Sequence, residues 1–111
     1  MTARAHKVAS LSKARLDEMI EAATVDCYDE SEQTTGWFTM LEEHLALPFE
    51  TAVLGVTARV ERVDLTRREE IVAICTRGKS RQAIPILELP LPSPAPAGAE
   101  WVEAYRRWTN G

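Results

Sequence analysis

The chain has 111 residues, 45% of them hydrophobic, and a net charge of −4, which suits one small domain around a single core. No stretch approaches the ~20 apolar residues of a membrane span, and no apolar run of signal-peptide length follows the basic residues of Met1 to Lys7; a soluble cytoplasmic protein is expected. Cys27 and Cys75 lie far apart without C-x-x-C spacing or clustered histidines, so they indicate neither a zinc site nor a disulfide framework and read as free thiols, Cys75 inside a buried strand.

Residues 1–10 read as a flexible polar lead-in. Ser12 can cap a helix whose apolar residues Leu16, Met19, Ile20 and Ala23 fall at i, i+3, i+4 and i+7, predicting a helix to about Val25. The acidic segment Asp26 to Glu32 follows. Trp37, Phe38, Met40, Leu41 and Leu45 then mark a second amphipathic helix that ends before Pro48. The acidic segment is therefore expected near a helix–helix junction.

From Phe49 the pattern changes to short runs rich in Val and Ile, at Thr51 to Leu54, Thr57 to Leu65, Ile71 to Thr76 and Ala83 to Leu89. Gly55 offers a bulge or sharp bend, Thr66 to Glu69 a polar turn, and Arg77 to Ser80 a tighter one. Pro85 places the last strand at an edge or a bulge, because proline removes a ladder donor. Pro90, Pro92, Pro94 and Pro96 predict an extended connector over 90–97. On a terminal helix, Trp101, Tyr105 and Trp108 fall at i, i+4 and i+7 as one aromatic stripe that covers the core. The expected class is α+β, a single domain over 1–111 with two N-terminal helices, a small antiparallel barrel-like sheet of four to five strands, and a C-terminal helix.

Charge is the least even feature of the chain. Between Leu16 and Glu50 there are ten carboxylates and no Lys or Arg, so with −10 here and −4 overall the remainder carries +6. Like charges this close repel one another unless a cation or hydrogen-bond donors sit among them. Ca²⁺ takes about six to eight hard oxygen ligands in flexible geometry, and this segment supplies them. Asp26, Asp29 and Glu30 share a face if the first helix continues through them. Glu32 and Gln33 add oxygens, and Glu42 and Glu43 close the site if the two helices pack antiparallel. Asp64, Glu69, Glu70 and Glu88 are further contributors from the sheet. The spacing is not that of an EF-hand, since Gly36 stands in the wrong place for the mid-loop glycine. The competing reading of the run is a solvated face, although such faces usually mix signs to form i,i+4 pairs.

The order Asp26-Cys27-Tyr28-Asp29-Glu30-Ser31-Glu32-Gln33-Thr34-Thr35-Gly36-Trp37-Phe38-Thr39-Met40-Leu41-Glu42-Glu43, then Leu47-Pro48-Phe49, resembles the CcbP family of small calcium-binding proteins. Gly55 with the strand after it, Ala73 to Arg77, Ile84 to Pro92 and Gly98 to Trp108 agree with the same pattern, which covers about residues 16–108. The resemblance implies Ca²⁺ bound by acidic side chains without EF-hands, in a protein that buffers or senses free calcium in the cytoplasm and so serves calcium homeostasis. It carries Asp26, Asp29, Glu30, Glu32, Glu42 and Glu43 over as the metal residues. Glu88 departs from the pattern, standing where an aspartate precedes Leu-Pro-Leu.

No catalytic arrangement accompanies this cluster. His6 and His44 have no Ser or Cys placed as a nucleophile, His44 reads as a packing or solvent-facing residue, and no enzyme is expected; hydrolysis assisted by a bound metal is the remaining catalytic reading. Arg59, Arg62, Arg67, Arg68, Arg77, Lys79 and Arg81 fall on the expected sheet. A pI of about 5.2 and the lack of interleaved aromatics argue against nucleic acid as a partner. The expected partners are calcium ions and a protein target, with no nucleic acid and no membrane. The competing class of function is an interaction module whose acidic face binds a basic partner.

Overall fold

The computed structural model describes residues 11–110, so the lead-in expected at 1–10 lies outside the described residues. Helix α1 (Lys13–Thr24) starts where the Ser12 hydroxyl accepts the Arg15 N–H at 3.0 Å, which satisfies one of the donors left free at a helix start. It stops at Thr24, and Asp26 follows in the left-handed region at φ 60°. Helix α2 (Glu30–His44) begins well before the apolar pattern at Trp37, because Asp29 caps it by accepting the Glu32 N–H at 2.8 Å. Its buried face is Thr34, Trp37 and Leu41. Gly36 lets the two helices touch: a Cβ at this position would run into the Ala23 carbonyl oxygen of α1.

Strands β1 (Phe49–Val53), β2 (Val56–Leu65), β3 (Ile71–Arg77) and β4 (Ser80–Pro85) form one antiparallel sheet in the order β1-β2-β3-β4. The α+β class is as expected. The sheet, however, is an open meander with β1 and β4 at its edges and does not close as a barrel. Leu54 and Gly55, at φ 53° and 79°, make the two-residue β1–β2 turn of the type I′ kind, whose twist matches that of paired strands.

Glu61 is a bulge. The register passes from Val60↔Cys75 to Arg62↔Ile74, which moves the inward side chains of β2 from Ala58 and Val60 to Val63. β4 ends at Pro85, opposite Val72, and the chain enters a 3₁₀ turn at Ile86–Glu88, so the strand expected through Leu89 is shorter.

Helix α3 (Glu100–Thr109) lays its aromatic stripe against Trp37, with ring centroids of Trp101, Tyr105 and Trp108 at 6.4, 5.4 and 5.9 Å in edge-on and tilted arrangements. Before it, the connector is tied to the end of α2, where the Ala46 N–H donates to the Ala97 carbonyl at 2.8 Å. Met19, Ala23, Trp37, Leu41, Val60, Ala73, Ile86 and Val102 belong to one buried cluster that joins the helices to one face of the sheet. Among the described residues no helix is long and apolar enough to cross a membrane.

Candidate functional site

The acidic segment is the link between α1 and α2 together with the first turn of α2. Two of its carboxylates bind backbone: Asp29 Oδ1 accepts the Glu32 N–H, and Glu32 Oε1 accepts the Tyr28 N–H at 2.6 Å. This reciprocal pair resembles a capping box shifted by one residue. The start of α2 thus supplies donors and a positive dipole end that offset part of the repulsion among the acids. Asp26, Asp29, Glu30 and Glu32 are all exposed, so their side chains keep rotational freedom.

A fifth carboxylate arrives from the sheet. Ser31 Oγ donates to Glu69 Oε2 at 2.9 Å, across 38 residues of chain. Glu69 sits in the β2–β3 turn, where the Glu69 N–H donates to the Thr66 carbonyl and the Thr66 N–H to the Glu70 carbonyl, each at 2.9 Å. Glu69 has φ 65°, a left-handed conformation that costs a non-glycine residue roughly 1–2 kcal/mol. The turn aims one acid at α2 and the next at α3: the Tyr105 hydroxyl is held above its ordinary pKa, first by burial and then by the charge of Glu70.

The structure distributes the sequence-derived metal residues unevenly. Asp26, Asp29, Glu30 and Glu32 remain neighbours, but Asp26 does not continue a helical face with the others because α1 ends at Thr24. Glu42 and Glu43 are in the last turns of α2 itself, about 15 Å along the axis from Glu32. The acidic segment begins the second helix instead of facing it, which is why that pair does not reach the segment. Asp64 turns to Arg62 at 3.8 Å and caps its own strand end through the Leu65 N–H. Among the described residues no three Asp, Glu, His or Cys side chains are gathered closely enough to hold a metal ion. The donor chemistry nevertheless suits a hard cation, since every candidate group is a carboxylate oxygen.

The remaining candidates have structural roles. His44 stacks on Trp101 with centroids 4.9 Å apart. Cys75 is buried in β3 and its thiol is pushed up in pKa by that burial, while Cys27 is partly exposed; both are free. Arg59 pairs with Glu61 at 3.1 Å, and Arg107 of α3 with Asp17 of α1 at 3.1 Å. Both pairs are substantially exposed and contribute little stability.

No curated protein and no solved structure gives a match to this chain. The family model of CcbP, described as calcium binding, matches residues 17–109, which takes in α1 beyond its first turn, all of α2, the whole sheet and α3. The chain belongs to the CcbP family of calcium-binding proteins.

Proposed function

We propose that this chain binds Ca²⁺ at the first turn of α2, with Asp26, Asp29, Glu30 and Glu32 supplying oxygens and Glu69 joining them from the β2–β3 turn, and that it acts as a cytoplasmic calcium buffer or sensor. The observation that carries this reading is the Ser31–Glu69 hydrogen bond, which brings a carboxylate on an unfavourable backbone conformation toward four others.

Bound Ca²⁺ supplies the positive charge that the segment lacks. The chain does the rest with two kinds of oxygen. Asp29 Oδ1 and Glu32 Oε1 hold the helix start, leaving the second oxygen of each carboxylate for the ion. Asp26 and Glu30 are exposed and turn inward without disturbing packed residues. Because the ligands converge only when the ion arrives, ordering the segment lowers the affinity below that of a preformed cage. Mg²⁺ competes poorly, since its strict octahedral shell and slow dehydration suit this adaptable set less well.

Thermal melting in Ca²⁺ and in chelator tests the reading. An ion that prefers the folded state raises the melting temperature with its concentration by mass action. The midpoint rises with millimolar Ca²⁺ and rises less with Mg²⁺; identical melts in Ca²⁺ and chelator would refute calcium binding.

A further inference from the structure

Four large apolar side chains are exposed among the described residues: Val25, Tyr28, Leu54 and Val56. They fall into two pairs at opposite poles of charge. Val25 and Tyr28 flank Asp26 in the acidic segment, with Tyr28 87% exposed. Leu54, 97% exposed, and Val56 border a cavity of about 380 Å³ floored by Cys75 and Ile84 and edged by Arg77 and Arg81. Every residue lining this cavity belongs to the strands or the β1–β2 turn, so it is the end of the sheet that the helices leave uncovered.

We propose that this cavity is a docking groove for a second copy of the chain, which seats the Val25–Tyr28 stretch of its acidic segment there. Charge selects the occupant. Arg77, Lys79 and Arg81 make no ion pair among the described residues, whereas Asp26, Asp29, Glu30 and Glu32 surround Tyr28 in sequence. An apolar contact ringed by opposite charges is steered and put in register by them. The chain's own N-terminal residues carry Arg4 and Lys7 and match the sign of the groove instead of complementing it.

Geometry makes the contact intermolecular. The Ser31–Glu69 bond ties the acidic segment to the β2–β3 turn, and the groove lies at the other end of β3. The seven residues of β3 span about 20 Å. One molecule therefore cannot fold the segment into its own groove, but two copies can meet head to tail. Such a heterologous contact leaves a free groove and a free segment at the ends of each assembly, so association continues beyond two.

Leu54 supplies the independent cost argument. The first position of a type I′ turn favours Asn, Asp or Gly, and leucine at φ 53° is disfavoured there. Within its own molecule this side chain gains no burial in return. Docking against Tyr28 of another copy provides it.

Sedimentation velocity of the full chain in chelator at low salt is the test, with Tyr28→Ser and Leu54→Asn as variants. Both replaced side chains are exposed, and Leu54→Asn creates the favoured Asn-Gly turn, so both variants fold. The wild type sediments faster as its concentration rises and loses this behaviour at high salt. Each variant alone stays monomeric, and an equal mixture of the two forms a heterodimer that grows no further. A monomeric wild type, variants that associate like the wild type, or a mixture that stays monomeric would each overturn the proposal.

Calcium enters separately, and that arm rests on the function proposed above: an ion on the acidic segment cancels the charge that the groove attracts, so Ca²⁺ disperses the assembly. A chain that binds Ca²⁺ yet never associates overturns the docking groove alone. One that associates by this pattern in chelator and ignores Ca²⁺ overturns the calcium site alone.

Discussion

Ser31 of α2 donates its hydroxyl proton to Glu69 of the β2–β3 turn across 2.9 Å, tying the first turn of a helix to a hairpin 38 residues away. Glu69 holds this position at φ 65°, where glycine would be at ease. Glu69→Gly therefore leaves the stability of the calcium-free protein within about 0.5 kcal/mol of wild type, because relief of the left-handed penalty is offset by the added entropy of glycine and the loss of an exposed hydrogen bond. The same change weakens Ca²⁺ binding. Urea denaturation in chelator and a calcium titration read the two effects, and a loss of both stability and affinity would mean that the turn is merely structural.

Asp29 separates capping from charge. Asparagine caps a helix about as well as aspartate does, whereas alanine removes the acceptor that holds the Glu32 N–H. Asp29→Ala loses about 1 kcal/mol of stability and Asp29→Asn stays within about 0.5 kcal/mol of wild type. Both weaken calcium binding, because both remove a carboxylate. Equal stability in the two variants, measured in urea, would show that the cap does not operate.

Gly36 gives a prediction opposite in sign to helix propensity. Alanine in a helix interior is worth about 1 kcal/mol over glycine. Here the added methyl strikes the Ala23 carbonyl, a backbone atom that cannot swing aside, so α1 must move off α2. Gly36→Ala destabilises by about 1–3 kcal/mol, as overpacking does. A higher denaturation midpoint in this variant would show that the helices do not touch at this point.

Tyr105 makes stability depend on alkaline pH. Burial, then the charge of Glu70, raises its pKa above the ordinary tyrosine value. The folded state therefore holds the phenol proton more tightly than the unfolded state. This contribution is fully present below the unfolded value of about 10 and is lost as pH rises through the raised folded value. In a Tyr28→Phe background Tyr105 is the sole tyrosine, and its tyrosinate absorbance reports the transition. Glu70→Gln lowers that transition; an unchanged midpoint would mean that Glu70 does not face the ring.

Local signals were readable and long-range ones were not. Ser12 and the spacing of Leu16, Met19, Ile20 and Ala23 defined α1, and the Trp101, Tyr105 and Trp108 stripe found its core in Trp37. The early start of α2 was also legible, since Asp29 followed three residues later by Glu32 is a capping signal that the apolar pattern at Trp37 outweighed. Whether Glu42 and Glu43 faced the acidic segment depended on that start. Pro85 marked the last strand for an edge, where β4 stands, but no residue of β1 declares whether that strand meets β4. The Ser31–Glu69 contact joins two polar residues through the packing of α2 on the sheet, and it has no signature in sequence spacing.

Calcium binding at the first turn of α2 is tested most directly by calorimetric titration of Ca²⁺ into chelator-stripped protein at physiological salt, with wild type and the double variant Asp29→Asn, Glu30→Gln compared. The wild type gives a saturable heat with Kd below about 1 mM, and the double variant, equally stable without calcium, binds at least about tenfold more weakly. A wild type that takes up no Ca²⁺ below millimolar concentration, or a double variant with undiminished affinity, would contradict it.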